Sequence, residues 1–296
     1  MTGSTQSAAV GRAVVAVDIG NSAAKWSVGQ PDGSRAAMQR VSIKSHDWPS
    51  EILRDVRSAC PHPGSGSVVW RIATVSSPAR LQLIAALQRC VSPANIRTIT
   101  RRHVPMTPLV RYPDRLGIDR LLAGWMATRL YPNRRVVVVD AGSAITIDSV
   151  GPASEFHGGV ILPGLSLQFE SLGRGTDALP LLDPRSAAED TVDLAVPAID
   201  TVSAIRSGIL LGTSGAIDRL IQMSTASTSQ NAVWSDSPKE NPKVIVTGGD
   251  APRLSSLLHS PHTVNHRLVV DALLDEAILD DLAVDVFPDP PPRSPA

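Results

Sequence analysis

Two stretches of the chain resemble each other: VVAVDIGNSAAKWSV at Val14–Val28 and VVVVDAGSAITIDSV at Val136–Val150. Aligned at one constant offset, they share seven of fifteen residues, and an Asp-x-Gly follows the valine run in each. The valines predict a buried strand, the glycine predicts a tight bend, and the residues after it predict a second strand. The repeat therefore predicts two related domains that each open with a strand, a bend and another strand.

The rest of the chain fits an α/β protein. Short β-branched runs alternate with segments of helical periodicity, so that Leu116–Tyr131 is predicted as a helix and Leu268–Val270 as a strand. The 296 residues are about twice the usual domain length. Composition and the repeat together predict a disordered N-terminus at 1–11, domains at 12–115 and 116–287, a loop insertion at 224–243, and a disordered proline-rich tail at 288–296.

Composition excludes several classes of partner. Lys+Arg and Asp+Glu both number 28, and aromatic residues make up 3% of the chain, so neither a basic surface nor a base-stacking platform for nucleic acid is expected. The sequence has no secretory leader and no run of 18 apolar residues, which predicts a cytoplasmic protein with no membrane partner. Cys60 and Cys90 lack the spacing of a zinc site or a disulfide scaffold.

The bend Asp18–Ser22 is a candidate phosphate site. Successive backbone N–H groups around its glycine can point into one concavity, and its polar side chains and Lys25 can add donors. The aspartate at its start would repel an anion, but beside phosphates it suits Mg²⁺. The bend Asp140–Ala144 repeats this pattern without a lysine. A single copy is better explained as an ordinary β-turn, whereas two copies at corresponding places favour phosphate binding.

Three further segments carry candidate chemistry: Gly158–Gly164, Val244–Asp250 and Pro113–Arg120. Each of the first two has a glycine pair beside a strand, which either forms only a turn or lets a flat group such as adenine approach the backbone. The third opens a helix with Asp119 next to Arg120. These two either cap the helix and face solvent, or accept the proton of an incoming hydroxyl and bind an anionic group.

Taken in order, the motifs resemble those of the type III pantothenate kinases, of the actin/sugar-kinase superfamily. The matching segments are DIGNS with the following lysine, LGIDR, VDAGSAITID, GGVILPGL, TVSAIRSG and VTGGD. The resemblance implies two duplicated ribonuclease H-like domains with mixed sheets flanked by helices. It also implies a homodimer that transfers a phosphoryl group from ATP to pantothenate, giving 4′-phosphopantothenate in the first step of coenzyme A biosynthesis.

The resemblance further implies roles at the matching positions. Asp119 would be the general base, Asp18 would bind Mg²⁺, and Asp140 would bind a monovalent cation, potassium or ammonium. The implied ATP and phosphate contacts are Asp18, Ile19, Gly20, Asn21, Ser22, Ala23, Ala24, Lys25, Ser143, Gly248 and Gly249. The implied pantothenate contacts are Gly117, Ile118, Asp119, Arg120 and Thr201.

Two other functions stay open at the level of sequence. A non-catalytic, ATP-gated regulatory module of the same superfamily would use both bends but would have no need of Asp119 as a base. A different kinase of the superfamily would phosphorylate another small polyol. The segments GGVILPGL and TVSAIRSG favour pantothenate over the second alternative.

Overall fold

The computed structural model describes most of the chain, namely residues 12–60, 68–183, 194–225 and 241–278. The disorder predicted for residues 1–11 and 288–296 lies outside the described residues, as does most of the loop predicted at 224–243. These expectations stay predictions.

The described residues form two compact units. The first unit takes the residues up to Pro105 together with those from Leu273 onward, and the second unit is Met106–Ala272. These are groupings by spatial contact, and the domain bounds expected from the sequence, 12–115 and 116–287, stay a prediction.

The first unit is a five-stranded mixed sheet packed against two helices. Its strands lie in the order β3-β2-β1-β4-β5; β1 to β3 are antiparallel neighbours, and β4 and β5 continue parallel to β1. Alternate apolar residues of β1 and β2 form a buried core with both helices. The elements are β1 Ala13–Ile19, β2 Ala23–Gly29, β3 Gln39–Ser42, α1 Trp48–Ala59, β4 Val68–Thr74, α2 Ser77–Leu87 and β5 Ile96–Thr98.

The second unit is built on a six-stranded mixed sheet in the order β11-β10-β7-β8-β9-β6. Alternate residues of β7 and β8 form a core with α4, α5 and α6, and α3 packs on the opposite face. The elements are β6 Thr107–Pro108, α3 Ile118–Leu130, β7 Val136–Ala141, β8 Ala144–Val150, β9 Glu155–Pro163, α4 Leu165–Gly175, α5 Thr201–Thr225, β10 Lys243–Thr247, α6 Ala251–Ser255, β11 Thr263–Val264 and α7 Leu268–Leu274, within which the division between the units falls.

The prediction of a strand at Leu268–Val270 was wrong, because these residues form the start of helix α7. Three consecutive apolar residues suit a strand or a buried helix equally well, and only the surrounding structure decides between them. In α7 they are followed by buried Ala272 and Leu273, which makes the helix apolar along most of its length.

The two units share one strand order. In the first unit, β3-β2-β1-β4-β5 has the same succession of antiparallel and parallel neighbours as β9-β8-β7-β10-β11 in the second. The predicted duplication and the predicted α/β class with mixed sheets are thus confirmed. Among the helices of the described ranges, none combines the length and the apolar character needed to cross a membrane.

The two hairpins differ by one residue at the bend. The N–H of Gly20 donates to the carbonyl of Ala23 at 3.0 Å, whereas that of Gly142 donates to the carbonyl of Ala144 at 3.1 Å. The second bend is therefore one residue shorter. The constant-offset alignment holds through the first strand and the glycine, and it fails in the second strand.

This difference changes which residues are equivalent in the second strand of each hairpin. Ser27 lies opposite Ala16 in the first unit, and Asp148 lies opposite Val138 in the second. Ser27 and Asp148 are thus structural counterparts, although the constant offset would match Asp148 with Trp26. A shift of one residue moves a side chain to the other face of a sheet, so this correction decides where Asp148 points.

Candidate active site

The first bend joins β1 to β2 and is held by its neighbours on both sides. The N–H of Val75 donates to the carbonyl of Ile19, and the N–H of Ile43 donates to that of Ser22, both at 3.2 Å. Asn21 and Ser22 are exposed at the tip. Of the ATP-contact residues implied there, Ile19, Ala23 and Ala24 are buried, so these three can offer a ligand little beyond backbone groups.

Asp18 and Lys25 lie opposite each other across the first hairpin. Asp18 is 8% exposed, and Lys25 is half-buried. The carboxylate therefore stands at the end of a buried strand, next to a lysine and to the N–H groups of a glycine bend. Such a combination of acid, cation and backbone donors suits a phosphate group with its bound divalent metal.

The second bend, Asp140–Ala144, is enclosed by two glycine segments of its own unit. The N–H of Gly164 donates to the carbonyl of Ser143 at 3.2 Å, and the N–H of Asp250 donates to that of Ala141 at 2.9 Å. The sequence-predicted residues Asp140, Ser143, Gly248 and Gly249 are thus brought into one neighbourhood.

Only glycine fits at the two contacts with this bend. A Cβ on Gly164 would overlap the backbone of Gly142 and Ser143, and a Cβ on Gly248 would overlap the backbone of Ala141. Gly248 also has a φ of +99°, which L side chains rarely adopt. The glycine pair of VTGGD therefore brings one backbone segment against another, and only Gly249 has open space around it.

One face of the second sheet collects the polar residues. Asp140 lies opposite Thr146, and Asp148 follows two residues later on β8, so all three share a face. The Oγ1 of Thr146 donates to Oδ2 of Asp148 at 3.1 Å. Helix α3 packs on this face, while the apolar core of the unit lies on the other.

The first turn of helix α3 contains residues predicted to contact pantothenate. Gly117 is the N-cap, Ile118 is buried, and Asp119 accepts the backbone N–H of Arg120 on Oδ1 at 2.8 Å. A carboxylate in the first helical turn is also favoured by the positive end of the helix dipole. The side chain of Asp119 is therefore oriented by a hydrogen bond from its own helix to Oδ1.

Arg120 forms an ion pair with Asp148. Its Nε lies 3.1 Å from each carboxylate oxygen, its Nη2 donates a short hydrogen bond to Oδ1, and its Cζ lies 5.6 Å from the centroid of the Phe156 ring. Burial raises the pKa of Asp148, and Arg120 acts in the opposite direction. Burial alone would lower the pKa of Arg120, but the hydrogen bonds and charge of Asp148 raise it. The guanidinium therefore stays charged.

Thr201 is the exposed first residue of α5. The helix start is fixed by Asp200, whose carboxylate accepts the backbone N–H of Ser203 at 3.0 Å and its hydroxyl at 2.6 Å. These bonds lower the pKa of Asp200. Within the described part of the chain, no hydrogen bond joins Thr201 to Asp119 or Arg120.

Sequence reasoning gave no role to Asp148 or Thr146, and it set the pair Gly158-Gly159 beside a strand, as a turn or a place for a flat ligand. A signal for Asp148 was present, because AITIDSV places one charged residue in an otherwise uncharged strand, and a buried carboxylate requires a partner. Gly159 lies opposite Asp148 in the ladder, and a Cβ there would overlap the Asp148 carboxylate and the carbonyl of Ile147. The pair Gly158-Gly159 thus lies inside β9, where Gly159 makes room for a side chain.

Comparisons with known proteins agree on one family. The family model for type III pantothenate kinases matches residues 14–223. The type III pantothenate kinase of Rhodopirellula baltica is 32% identical over 289 residues, which covers 88% of this chain and 97% of the relative. That of Alkalilimnicola ehrlichii is 33% identical over 243 residues, covering 82% and 88%. Among solved structures, the chain is similar to a conserved Campylobacter jejuni protein described as a putative Baf family transcriptional activator. The match covers 88% of this chain and 95% of that protein, at 21% sequence identity and a TM-score of 0.53.

Proposed function

The chain belongs to the type III pantothenate kinase family, and we propose which of its residues carry the reaction. It is a kinase that phosphorylates pantothenate with ATP, in coenzyme A biosynthesis, and it uses a divalent metal. The observation that carries the assignment of roles is the polar face of the second sheet. There Asp140 and Thr146 lie beside Asp148, which is paired with the α3 turn that holds Asp119.

We assign ATP contacts to each of the glycine bends, taken one unit at a time. Asn21, Ser22 and Lys25, with the backbone of Ile19, Gly20, Ala23 and Ala24, would bind the phosphates of ATP. Asp18 would hold Mg²⁺, which its carboxylate oxygens suit. When bound, the metal neutralises phosphate charge. Ser143, Gly248 and Gly249 would contact ATP at the second bend, which the close packing of Gly248 on Ala141 supports.

Asp140 is proposed as the ligand of a monovalent cation, potassium or ammonium. It ends β7 next to the second bend and is half-buried, opposite the hydroxyl-bearing Thr146. Oxygen donors of this kind suit a hard cation. A bound cation there would add positive charge beside the phosphates without taking a proton.

The acceptor side is assigned to the first turn of α3. Asp119 would accept the proton of the pantothenate hydroxyl as that oxygen attacks the terminal phosphate, and Arg120 would bind the carboxylate of pantothenate. Gly117, Ile118 and Thr201 would line the same pocket. Phosphoryl transfer needs little covalent help from the protein, so placement of the alcohol and stabilisation of charge account for most of the catalysis.

The chain is also proposed to be a cytoplasmic homodimer. Support for the dimer comes from apolar side chains left exposed on β9 and beside it. Ile161, near the end of β9, is 63% exposed, and Val160 and Leu109 are exposed as well. Light scattering after gel filtration tests this, and Ile161→Asp should shift the mass towards one chain.

The reaction is tested by coupled measurement of ADP release with and without pantothenate, in potassium, ammonium or sodium salts. Release that requires pantothenate and rises with potassium or ammonium is expected. Release independent of pantothenate would instead support the ATP-gated module. Release driven by glycerol or a sugar would support a different acceptor.

A further inference from the structure

We infer that Asp148 is a positioning residue for Arg120, and that it turns one edge of the guanidinium towards the carboxylate of pantothenate. This inference rests on the proposed role of Arg120. Asp148 is 2% exposed and Arg120 is 17% exposed, so the carboxylate is enclosed while the cation still reaches the surface. Asp148 itself is thus too enclosed to serve as a substrate contact.

The geometry divides the donors of Arg120 into two groups. Nε and Nη2 face Asp148, and among the described residues no partner is seen for Nη1. A guanidinium is planar, so fixing one edge also fixes the direction of the remaining N–H groups. The two N–H groups of Nη1 and the second N–H of Nη2 are the ones that remain for a carboxylate of the substrate.

Three neighbours fix Asp148 in turn. Thr146 donates to its Oδ2, the absent side chain of Gly159 leaves room for its Oδ1, and the Phe156 ring lies beneath the guanidinium that it binds. A carboxylate surrounded in this way by residues of β8 and β9 is oriented before the substrate arrives. Such pre-orientation removes part of the entropy cost of binding.

Charge and orientation act in opposite directions here. Asp148 cancels much of the positive charge of Arg120 and should therefore weaken its attraction for an anion. Its presence is favourable only if the fixed direction of the N–H groups outweighs this loss. Replacing the carboxylate by an amide of the same shape separates the two effects.

The experiment compares pantothenate with its neutral alcohol analogue, in which CH₂OH replaces the carboxylate. In Asp148→Asn, the KM for pantothenate should rise about 10- to 100-fold, as expected for loss of a buried charge-assisted hydrogen bond. The KM for the alcohol analogue and for ATP should change less than about threefold. A merely structural role would raise the KM for both acceptors together and leave the pantothenate-to-analogue KM ratio unchanged. An unchanged ratio, or a lower KM for pantothenate, would overturn the inference.

Two further variants keep the test decisive. Thr146→Val removes the hydrogen bond to Asp148 and should raise the pantothenate-to-analogue KM ratio about two- to fivefold, even if Asp148→Asn fails to fold. An unchanged ratio would contradict the inference. A change at the cation proposed beside Asp140 would affect both acceptors alike and would leave the ratio unmoved. Ser149→Ala, on the same strand, is the matched control and should leave the ratio as in the wild type.

Arg120→Ala separates this inference from the proposed function. If Arg120→Ala raises the KM ratio and Asp148→Asn does not, Arg120 binds the carboxylate but Asp148 does not position it. If Arg120→Ala leaves the ratio unchanged, the proposed role of Arg120 itself is wrong. The double variant should add little to Arg120→Ala, because a positioning residue has nothing to act on once the guanidinium is gone.

Discussion

The two hairpins begin alike and differ in what their second strands carry. At the position where the first hairpin places Ser27, the second places Asp148. Ser27 donates to the nearby carbonyl of Ala36 at 2.8 Å, a local bond. Asp148 instead binds Arg120, 28 residues earlier in the chain. One shared scaffold therefore carries a glycine bend in both units, and among the described residues it is the second strand of the second hairpin that pairs with Arg120 in the first turn of α3.

The helical elements placed against equivalent faces also differ. In the first unit the buried Arg71 donates to the carbonyls of Leu273 at 2.9 Å and Asp275 at 2.7 Å, which fixes the last turn of α7 and the residue that follows it. In the second unit this face receives α3, with Asp119 and Arg120 in its first turn. The two sheets are similar, and the segments packed on them differ. The proposed division of roles between the units follows from that difference.

The largest expected effect is on the acceptor chemistry proposed for α3 of the second unit. Asp119→Asn should lower kcat about 10²- to 10⁴-fold, because the amide cannot accept the proton of the attacking hydroxyl. Steady-state ADP release measures this. Asp114→Asn, five residues earlier and exposed, is the matched control. Near-normal turnover of Asp119→Asn would remove the base from the proposal.

The next largest effect should distinguish the two equivalent aspartates near the ends of β1 and β7, Asp18 and Asp140, by their response to cations. Asp140→Ala should reduce the activity measured in potassium to the level measured without it, a loss of roughly 100-fold. Asp18→Ala should keep the response to potassium but need more Mg²⁺. Titration of both cations with both variants makes the comparison. Identical responses would mean that the two bends do not differ in cation chemistry.

A smaller effect is expected at the second bend, where the backbone of Gly248 packs closely on that of Ala141. Gly248→Ala places a Cβ into the backbone of Ala141 at a φ of +99°, and should lower the free energy of unfolding by about 1–3 kcal/mol. Gly249→Ala meets open space and should change it by less than about 0.5 kcal/mol. Urea denaturation measures both. Equal stability would mean that the packing of Gly248 is not tight.

The smallest effect concerns pH. Burial lowers the pKa of His157 on β9, which opposes the influence of Glu155. The unfolded chain then binds more protons below about pH 6.5, so this contribution to stability is present above that pH and is lost as the pH falls. His157→Gln should therefore narrow the difference in Tm between pH 7.5 and pH 5.5. His46→Gln, an exposed histidine of the first unit, should keep the wild-type difference.

The fold was predictable where the sequence repeats itself. The valine runs and Asp-x-Gly bends at Asp18 and Asp140 led to the duplicated hairpins, because strand and turn preferences there are local. Helix α1 was not predicted, although Trp48, Ile52 and Val56 recur at four-residue spacing and are buried. Its first residues lie next to a proline, which reads as a loop signal but is also favourable at the start of a helix.

The candidate site was predictable only in part. The motifs placed Asp119 and Arg120 together because neighbours in one helical turn need no tertiary information. The partner of Arg120 was not predicted, because the constant offset matched Asp148 with Trp26. An alignment of the two repeats without a gap cannot detect that the second bend is one residue shorter. Strand register is set by hydrogen bonding and packing, and neither is written in local composition.

The shorter second bend has a practical consequence for anyone who wishes to exchange parts between the halves. A chimera in which Val14–Val28 replaces Val136–Val150 letter for letter would carry its longer bend with it, so its second strand would end one ladder position too early. A graft that runs to Gly29, the partner of Val14, keeps the ladder in step and brings Ser27 to the place of Asp148, where a single Ser27→Asp change would rebuild the pair. The residues to be exchanged between the two units must therefore be matched through their strand partners on each side of the bend.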